Sequence, residues 1–456
     1  MDEARQRAFV GGANPDFAHL RHAVPLAVGW EQVQEFIVLP RKLLLAAPPD
    51  PGRRHPAPDP GRRQPPAAPL DAARFHTTLE YLYCHMRCGV YVLIRDGRVA
   101  LFVPFVNPNF ANAWWPHVRI PGGSVGAYYA QKSAALRKPV ETGIIAEPSL
   151  WWVNAGGIVC NQASAQLWGD GDLPQHRAFL DAVCEKHAIP DVEFFLNRRD
   201  HPQLRKDGRE PYAFCWPESP PPLLPPRWRE QQQHAPVLSG YTGPDFQDVP
   251  WPLMVDDVAA PAAAAGPPWH ERAPVAVWRG SATGAGVTPD TNQRLALVAL
   301  SAPGRLDAQL TAGSSRDRIV DGQLRWMPPP RKLAPRLSPE QQRAWKYVVY
   351  VQGHSAASRY GALMASGSVI LKVASTCAAP DLWFFHHLRP WVDHVPVAAD
   401  MRDLRPAIQW LQAHDAEAAA MARAAAELHA KLLRPEALRE YAARTLATSF
   451  FFPATK

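Results

Sequence analysis

Asp200 has the most direct claim to chemistry, in FFLNRRDHPQL, with Arg198 and Arg199 before it and His201 after it. A carboxylate leaving an apolar run can serve as a general base toward a hydroxyl, and flanking arginines would keep it ionised. The same residue types also suit an ion pair or a turn cap beside Pro202, so local chemistry alone leaves both roles open. Three arginines in the second half follow strand-like segments: Arg279 in WRGS, Arg294 in TNQR and Arg359 in GHSAASR. Guanidinium forks match phosphate oxygens bidentately. Backbone amides at Gly280 and Ser281, and along the turn Gly353, His354, Ser355, Ala356, Ala357 and Ser358, would add N–H donors for a pyrophosphate. The plain alternative is surface ion pairing, with the glycines serving turns.

Other groupings compete for attention. VVYVQGHSAAS has the outline of a nucleophile elbow, with Ser355 as nucleophile and a triad completed by Asp381 or Asp393 with His386 or His394. Ala357 stands where the elbow's second glycine belongs, and no HGGG-type oxyanion loop precedes it. Asp170 and Asp172 in GDGD, like Asp256 and Asp257, are of the type that binds a hard cation with a nucleotide, although Gly-Asp-Gly-Asp is also ordinary turn sequence. His386 and His387 are adjacent and so diverge in direction, which points to packing in the core. Six cysteines, at 84, 88, 160, 184, 215 and 377, form no CxxC pair and read as reduced thiols, not a zinc site.

These side chains need elements to hold them. RDG between GVYVLIRDG and VALFVPFV favours a hairpin. LPQHRAFLDAVCEKHAI is helix-like and leads into DVEFFLNRRD, where an apolar run stops at charged residues, as a buried strand does when it delivers side chains to a cleft. Later, VAVWRG, TNQRLALVALS, KYVVYVQG, SRYGALMASG and SVILKV alternate strand and helix, the pattern of a parallel doubly wound sheet. The last fifty residues are rich in strong helix formers. Residues 1–46 contain apolar stretches suited to a strand or short helix packed on the main body. The segment after them repeats DPGRR at 50 and 59 among prolines, which makes a flexible linker.

With 456 residues the chain is long enough for two cores, at roughly 100 to 200 residues per domain. Proline, at 49 residues, is about twice its usual ~5% share, so connections are many. The net charge of +7 suits phosphate-bearing ligands, but no nucleic-acid motif accompanies it and nucleic acid is not an expected partner. No apolar run reaches the ~20 residues of a membrane span and no secretory h-region is seen, so a cytoplasmic location is expected.

Taken in order, PDVEFFLNRRDHPQLRKDGREPY, DFQDVPWPLMVDDV, VWRGSATGAGVTPDTNQRL, KYVVYVQGHSAASRYGALMASGSVILKV and LWFFHHLRPWVDHVPVAADMRDL resemble glycosyltransferase family 90, which includes the Rumi protein O-glucosyltransferases, the fungal capsule xylosyltransferases and lipopolysaccharide-modifying relatives. The resemblance covers about residues 76–449. The block from EYLYCHMRCGVYVLIRDG to WWVNAGG is similar in style to protist or large-DNA-virus members. It implies an α/β chain of GT-B fold, two Rossmann-like domains facing a cleft with C-terminal helices closing the structure. It implies an inverting transfer from a UDP-sugar, UDP-glucose or UDP-xylose, to a hydroxyl of a glycan or protein, with no cofactor or metal required. By motif, Asp200 matches the catalytic aspartate and Arg199 its neighbour at the site. Gly280, Ser281, Arg294 and the turn His354, Ser355, Ala356, Ala357, Ser358, Arg359 match the donor-binding positions. The expected organisation is an N-terminal appendage (1–46), a Pro/Arg-rich linker (47–75), an acceptor-side domain (76–255), a nucleotide-sugar domain (256–400) and C-terminal helices (401–456). The alternatives are a serine esterase using Ser355 and a catalytically inactive UDP-sugar-binding protein.

Overall fold

The computed structural model describes residues 27, 29–47, 71–107, 151–153, 159–161, 173–211, 223–230, 233–253, 266–284, 289, 292–313, 318–320, 323–325, 332–353, 355–375 and 381–448. Residues His354, Asp170, Asp172, Asp256, Asp257, Cys215 and Cys377, and the DPGRR repeat, lie outside them.

The first sheet starts as the hairpin that the RDG turn favours. Strands β1 (Cys88–Arg95) and β2 (Arg98–Val106) pair antiparallel, and the two turn residues Asp96 and Gly97 both have positive φ (50° and 65°), as a type I′ turn requires. β1 also pairs antiparallel with β3 (Val192–Leu196), which pairs parallel with β4 (Val237–Ser239). After the short strand β5 (Tyr241–Thr242) the chain returns as β6 (Val249–Pro250), giving the order β2-β1-β3-β4-β6. This sheet is mixed, not the wholly parallel sheet of a regular Rossmann half. A two-residue turn can only reverse the chain, whereas a parallel neighbour needs a crossover of a dozen or more residues.

Helices cover both faces of the first sheet. Alternate residues of β1 face opposite ways, so Val90, Val92 and Ile94 join one apolar cluster while Tyr91 and Leu93 join another. The second cluster is completed from upstream. A helical run passes from Trp30–Val33 through a π-helical turn Gln34–Val38 into α1 (Leu39–Ala46), and α2 (Ala72–Glu80) adds Phe75 and Leu79. Pro40, which has no N–H to give the helix, sits at the start of α1, directly after the widened turn. α1 is clasped to the sheet by a buried charge. Arg41 makes a bidentate pair with Glu193 of β3 at 2.6 and 2.8 Å, and Tyr91 Oη donates to the same carboxylate at 2.6 Å. Residues 30–46 therefore contribute to the core of this sheet, and α2 runs across the linker boundary drawn at residue 75.

The opposite face is packed by α3 (Leu173–Lys186), as its sequence pattern predicts. The second sheet is wholly parallel: β7 (Ala273–Ser281), β8 (Leu306–Ala312), β9 (Trp345–Tyr350), β10 (Val369–Val373) and, beyond the short β11 (Asp381–Leu382), β12 (Val395–Val397). Their order is β8-β7-β9-β10-β12. In chain order this is the 2-1-3-4-5 arrangement of a doubly wound sheet, whose switch point lies between β7 and β9. α4 (Gln293–Ala299) follows β7 and α5 (Tyr360–Met364) follows β9. The expected C-terminal helices are α6 (Leu404–Ala413), α7 (Asp415–Leu432) and α8 (Pro435–Leu446). α6 and α7 pack on the second sheet, whereas Leu438, Ala442 and Leu446 of α8 are buried with Phe179, Leu180 and Val183 of α3. Each fully buried leucine contributes roughly 1.5–3 kcal/mol, so α8 ties the chain's end firmly to the first sheet.

Two further links join the sheets. Trp383 stacks obliquely on Tyr441 of α8 at 4.5 Å, and Tyr441 Oη donates to Pro250 O at 3.2 Å. The segment directly after β4 pairs antiparallel with β11, which follows β10: Thr242 opposite Asp381 and Tyr241 opposite Leu382. Segments leaving the carboxyl ends of the two sheets are thus hydrogen-bonded to each other. Among the described residues, no helix is long and apolar enough to cross a membrane.

Candidate functional site

Asp200 lies at the carboxyl end of β3, where the sequence expects it, and is exposed. The loop that carries it is built by Asn197. Its backbone N–H donates to Leu238 O at 2.9 Å, continuing the parallel pairing with β4. Its side-chain amide donates to His201 O at 2.7 Å and Ser239 Oγ at 2.8 Å, and its Oδ1 accepts the Arg199 N–H at 2.7 Å. This Asx turn closes the chain over one residue and pushes Asp200 outward. Arg199 donates a guanidinium N–H to Met86 O at 2.8 Å. His201 turns inward, its Nδ1 donating to Pro202 O at 3.0 Å, and burial pushes its pKa down to about 4, so the ring is neutral near pH 7.

The second cluster forms at the switch point, outside the carboxyl ends of β7 and β9. Asn292 caps α4, its Oδ1 accepting the Arg294 N–H at 2.9 Å, while its amide donates to Ala282 O at 3.3 Å. The cap aims Arg294 at the gap between the strands. Its guanidinium donates to Gln352 O at 2.9 Å after β9, to Ser281 O at 3.1 Å after β7, and to Thr283 Oγ1. Arg294 therefore braces the two strand ends. Arg359 reaches back across the same gap to donate to Arg279 O at 2.6 Å. Tyr350 Oη holds the intervening turn, accepting from Ala357 N at 2.8 Å and donating to Ala357 O at 3.0 Å.

Glycines make this approach possible. A Cβ at Gly280 would stand 2.6 Å from the Trp278 ring and 3.2 Å from an Arg359 nitrogen. One at Gly353 would stand 2.7 Å from Thr283 Oγ1 and 3.1 Å from an Arg294 nitrogen.

The electrostatics are one-sided. Burial lowers the pKa of both guanidinium groups, and Arg359 lowers that of Arg294 further; among the described residues no carboxylate acts on either. A guanidinium nevertheless stays protonated. Two cations withdrawn from water beside each other, without an anion, are an expensive arrangement unless an anion binds there.

Several expectations change. Arg279 does not join the cluster: its side chain reaches across the sheet face to the edge strand β8 and pairs at 2.6 Å with Asp307, its diagonal neighbour in a register that sets Gln309 opposite it. The Gly353 and Ala357 amides are already bonded, to Ser355 O and Tyr350 Oη, so they are not spare donors. Ser355 is buried, has no positive φ, and lies five residues before α5, so the tight strand-to-helix elbow that an esterase needs is not formed. His394 Nδ1 is bonded to the neighbouring Asp393 at 2.7 Å, and Asp393 also accepts from Arg389 N, an arrangement that fixes the turn before β12. His386 and His387, expected in the core, are both exposed on a 3₁₀ turn that ends a buried aromatic run. No group of three or more His, Cys, Asp or Glu among the described residues could hold a metal ion.

Sequence reasoning passed over Asn292, Thr283 and Tyr350. Asn292 could have been found, since an asparagine just before an apolar helical run is a capping signal. Thr283 and Tyr350 act through contacts that no local pattern reveals.

The sequence pattern of glycosyl transferase family 90 matches residues 178–449. The chain is 31% identical over 405 residues to uncharacterized protein 035R of Invertebrate iridescent virus 3, covering 83% of this chain and 36% of that protein. It is 30% identical over 407 residues to uncharacterized protein 027R of Frog virus 3, covering 80% and 40%. Protein O-glucosyltransferase 2 of Danio rerio is 27% identical over 264 residues, covering 54% of this chain and 45% of that protein. The chain thus spans well under two thirds of the length of these relatives. With a match that runs from within α3 through β3, β4 and β6 of the first sheet and all of the second to the end of α8, more than half of the chain, the chain belongs to glycosyl transferase family 90.

Proposed function

We propose that the chain is an inverting glycosyltransferase that moves a sugar, glucose or xylose, from a UDP-sugar to a hydroxyl of a glycan or protein. The observation that carries this is the pair of guanidinium groups, Arg294 buried and Arg359 partly buried, with no carboxylate partner among the described residues, at the switch point of a parallel sheet. Such crevices are where open α/β sheets bind ligands, and a diphosphate supplies the missing negative charge. The link between β5 and β11 supports a GT-B reading, because it sets the carboxyl ends of β3 and β4 on the same side as those of the second sheet. The glucosyl donor is favoured by the Danio rerio relative's name.

In the proposed reaction Asp200 takes the acceptor's hydroxyl proton as that oxygen attacks the anomeric carbon. The bond from that carbon to the β-phosphate oxygen breaks, and UDP leaves from the opposite face with the electron pair. Their hydrogen bonds divide the donor-site roles between the two arginines. Arg294 has committed most of its N–H groups to Gln352, Ser281 and Thr283, so it shapes the pocket and supplies field. Arg359, with one bond among the described residues, to Arg279 O, offers its remaining donors to the leaving diphosphate. The two cations take over charge stabilisation, so the proposal needs no metal; loss of activity in EDTA would oppose it.

Thermal melts with UDP, UDP-glucose, UDP-xylose and a guanosine diphosphate sugar, followed by assay of UDP release, test the reading. A uridine ligand should raise the melting temperature by mass action. No stabilisation by any uridine nucleotide would overturn the donor assignment, and binding without turnover of any donor would leave a catalytically inactive binding protein.

A further inference from the structure

Asp248, a buried carboxylate that the proposed chemistry does not use, lies against the loop carrying Asp200. It immediately precedes β6 and is 6% exposed. One oxygen accepts the Gln203 N–H at 2.8 Å and the other the Leu204 N–H at 2.7 Å. The same two segments are zipped by Gln247 N to Leu204 O at 2.9 Å, by Lys206 N to Asp245 O at 2.8 Å, and by a bridge between Arg205 and Phe246. Phe246 also meets the His201 ring edge-on at 5.4 Å. At its other end the loop is fixed by Asn197, through the bonds to His201 O, Arg199 N and Ser239 Oγ. Asp200 is the exposed residue between two anchors.

A carboxyl group buried with no cation beside it among the described residues is unfavourable, and the backbone zipper already holds the segments together. The carboxyl group adds two short bonds from consecutive amides, which lock the backbone direction just after His201. We infer that Asp248 is a positioning residue for the transfer step, holding the Asn197–Leu204 loop so that Asp200 meets the acceptor hydroxyl in one place. The inference rests on the reading of Asp200 as base. A misplacement of about 1 Å can lower a rate about 10²-fold, so the clamp should register in kcat and not in donor binding.

The test uses the full chain with Asp248→Asn, which keeps one acceptor of the same shape, and Asp248→Ala, which keeps none. With the donor that the wild type turns over, kcat per folded molecule should fall about tenfold in the first and about 100-fold in the second. The donor KM and the calorimetric UDP Kd should stay within about twofold, because the donor site is on the other sheet. In an Asp200→Asn background, Asp248→Asn should lower the residual rate no further, as expected of two residues acting through one step. If kcat per folded molecule is unchanged, or if the two losses multiply, the positioning role is overturned. Should the alanine variant not fold, the asparagine variant and the double mutant decide it alone. If Asp200→Asn itself keeps wild-type activity, the reading of Asp200 has failed instead.

Discussion

Replacing Arg359 by methionine should separate binding from folding. In the unliganded protein the side chain is largely withdrawn from water, has one hydrogen bond among the described residues, to Arg279 O at 2.6 Å, and lies near enough to Arg294 to lower that group's pKa. Losing a charged hydrogen bond costs about 1.5–3 kcal/mol. Removing a buried, uncompensated cation and its repulsion of Arg294 returns several kcal/mol, and methionine fills most of the volume. The two effects nearly cancel, so the melting temperature without nucleotide should stay put or rise. Nucleotide binding has no such compensation. Loss of one partner from a buried charged contact costs about 2–5 kcal/mol, which is roughly 30- to 5,000-fold in Kd. The assay is a thermal melt without ligand and calorimetry with UDP on the same preparation. A clear fall in melting temperature with unchanged UDP affinity would refute the argument and make Arg359 a structural group.

Other consequences follow from the same geometry. Gly353→Ala places a methyl 2.7 Å from Thr283 Oγ1 and must spread the Arg294 brace; expect about 1–3 kcal/mol lost in urea unfolding and weaker UDP binding by calorimetry. Leu438→Ala, at a fully buried position of α8, should cost about 2–5 kcal/mol by the same unfolding measurement. Asp248 provides a pH signature. Burial, against three backbone N–H bonds that pull the other way, pushes its pKa up to about 7, and no charged side chain among the described residues contributes. Because the folded state then holds the proton more tightly than the unfolded chain, whose aspartate titrates near ~3.9, this group's contribution falls as pH rises from ~4 to ~7 and is flat above. Between pH 5 and 8 the wild type should lose on the order of 2 kcal/mol relative to Asp248→Asn, read from urea midpoints; equal slopes for the two proteins would contradict it.

The second half of the molecule was legible because its elements are local. Apolar strands, capped helices and glycine turns alternate there, and the parallel sheet follows from that order with Arg294 and Arg359 at the strand ends. The turn Asp96–Gly97 was equally readable, since φ of both residues is dictated by residue type. What could not be read was long-range pairing. The hairpin implied antiparallel strands, but not that β1 would pair antiparallel with β3, about a hundred residues on, and make the first sheet mixed. Glu193 in the apolar run VEFFL gave no sign that its partner would be Arg41 from the N-terminal helix. Arg279 and Arg294 look alike in sequence, but a strand position turns the first to Asp307 and a capped helix turns the second into the crevice. Asp248 was hidden for the same reason, because its partners are backbone amides 45 and 44 residues upstream. Asp200 itself was placed correctly at a strand end, while the Asx turn that exposes it depends on Ser239 and Leu238 of the neighbouring strand.

The most direct test of the central claim is transfer of radiolabelled sugar from UDP-glucose and UDP-xylose to an acceptor by the wild type and by Asp200→Asn, with UDP affinity measured on both. General-base assistance is worth about 10²- to 10⁴-fold, so the variant should lose at least that lower factor in transfer while binding UDP as the wild type does. Transfer by Asp200→Asn at the wild-type rate would contradict the account.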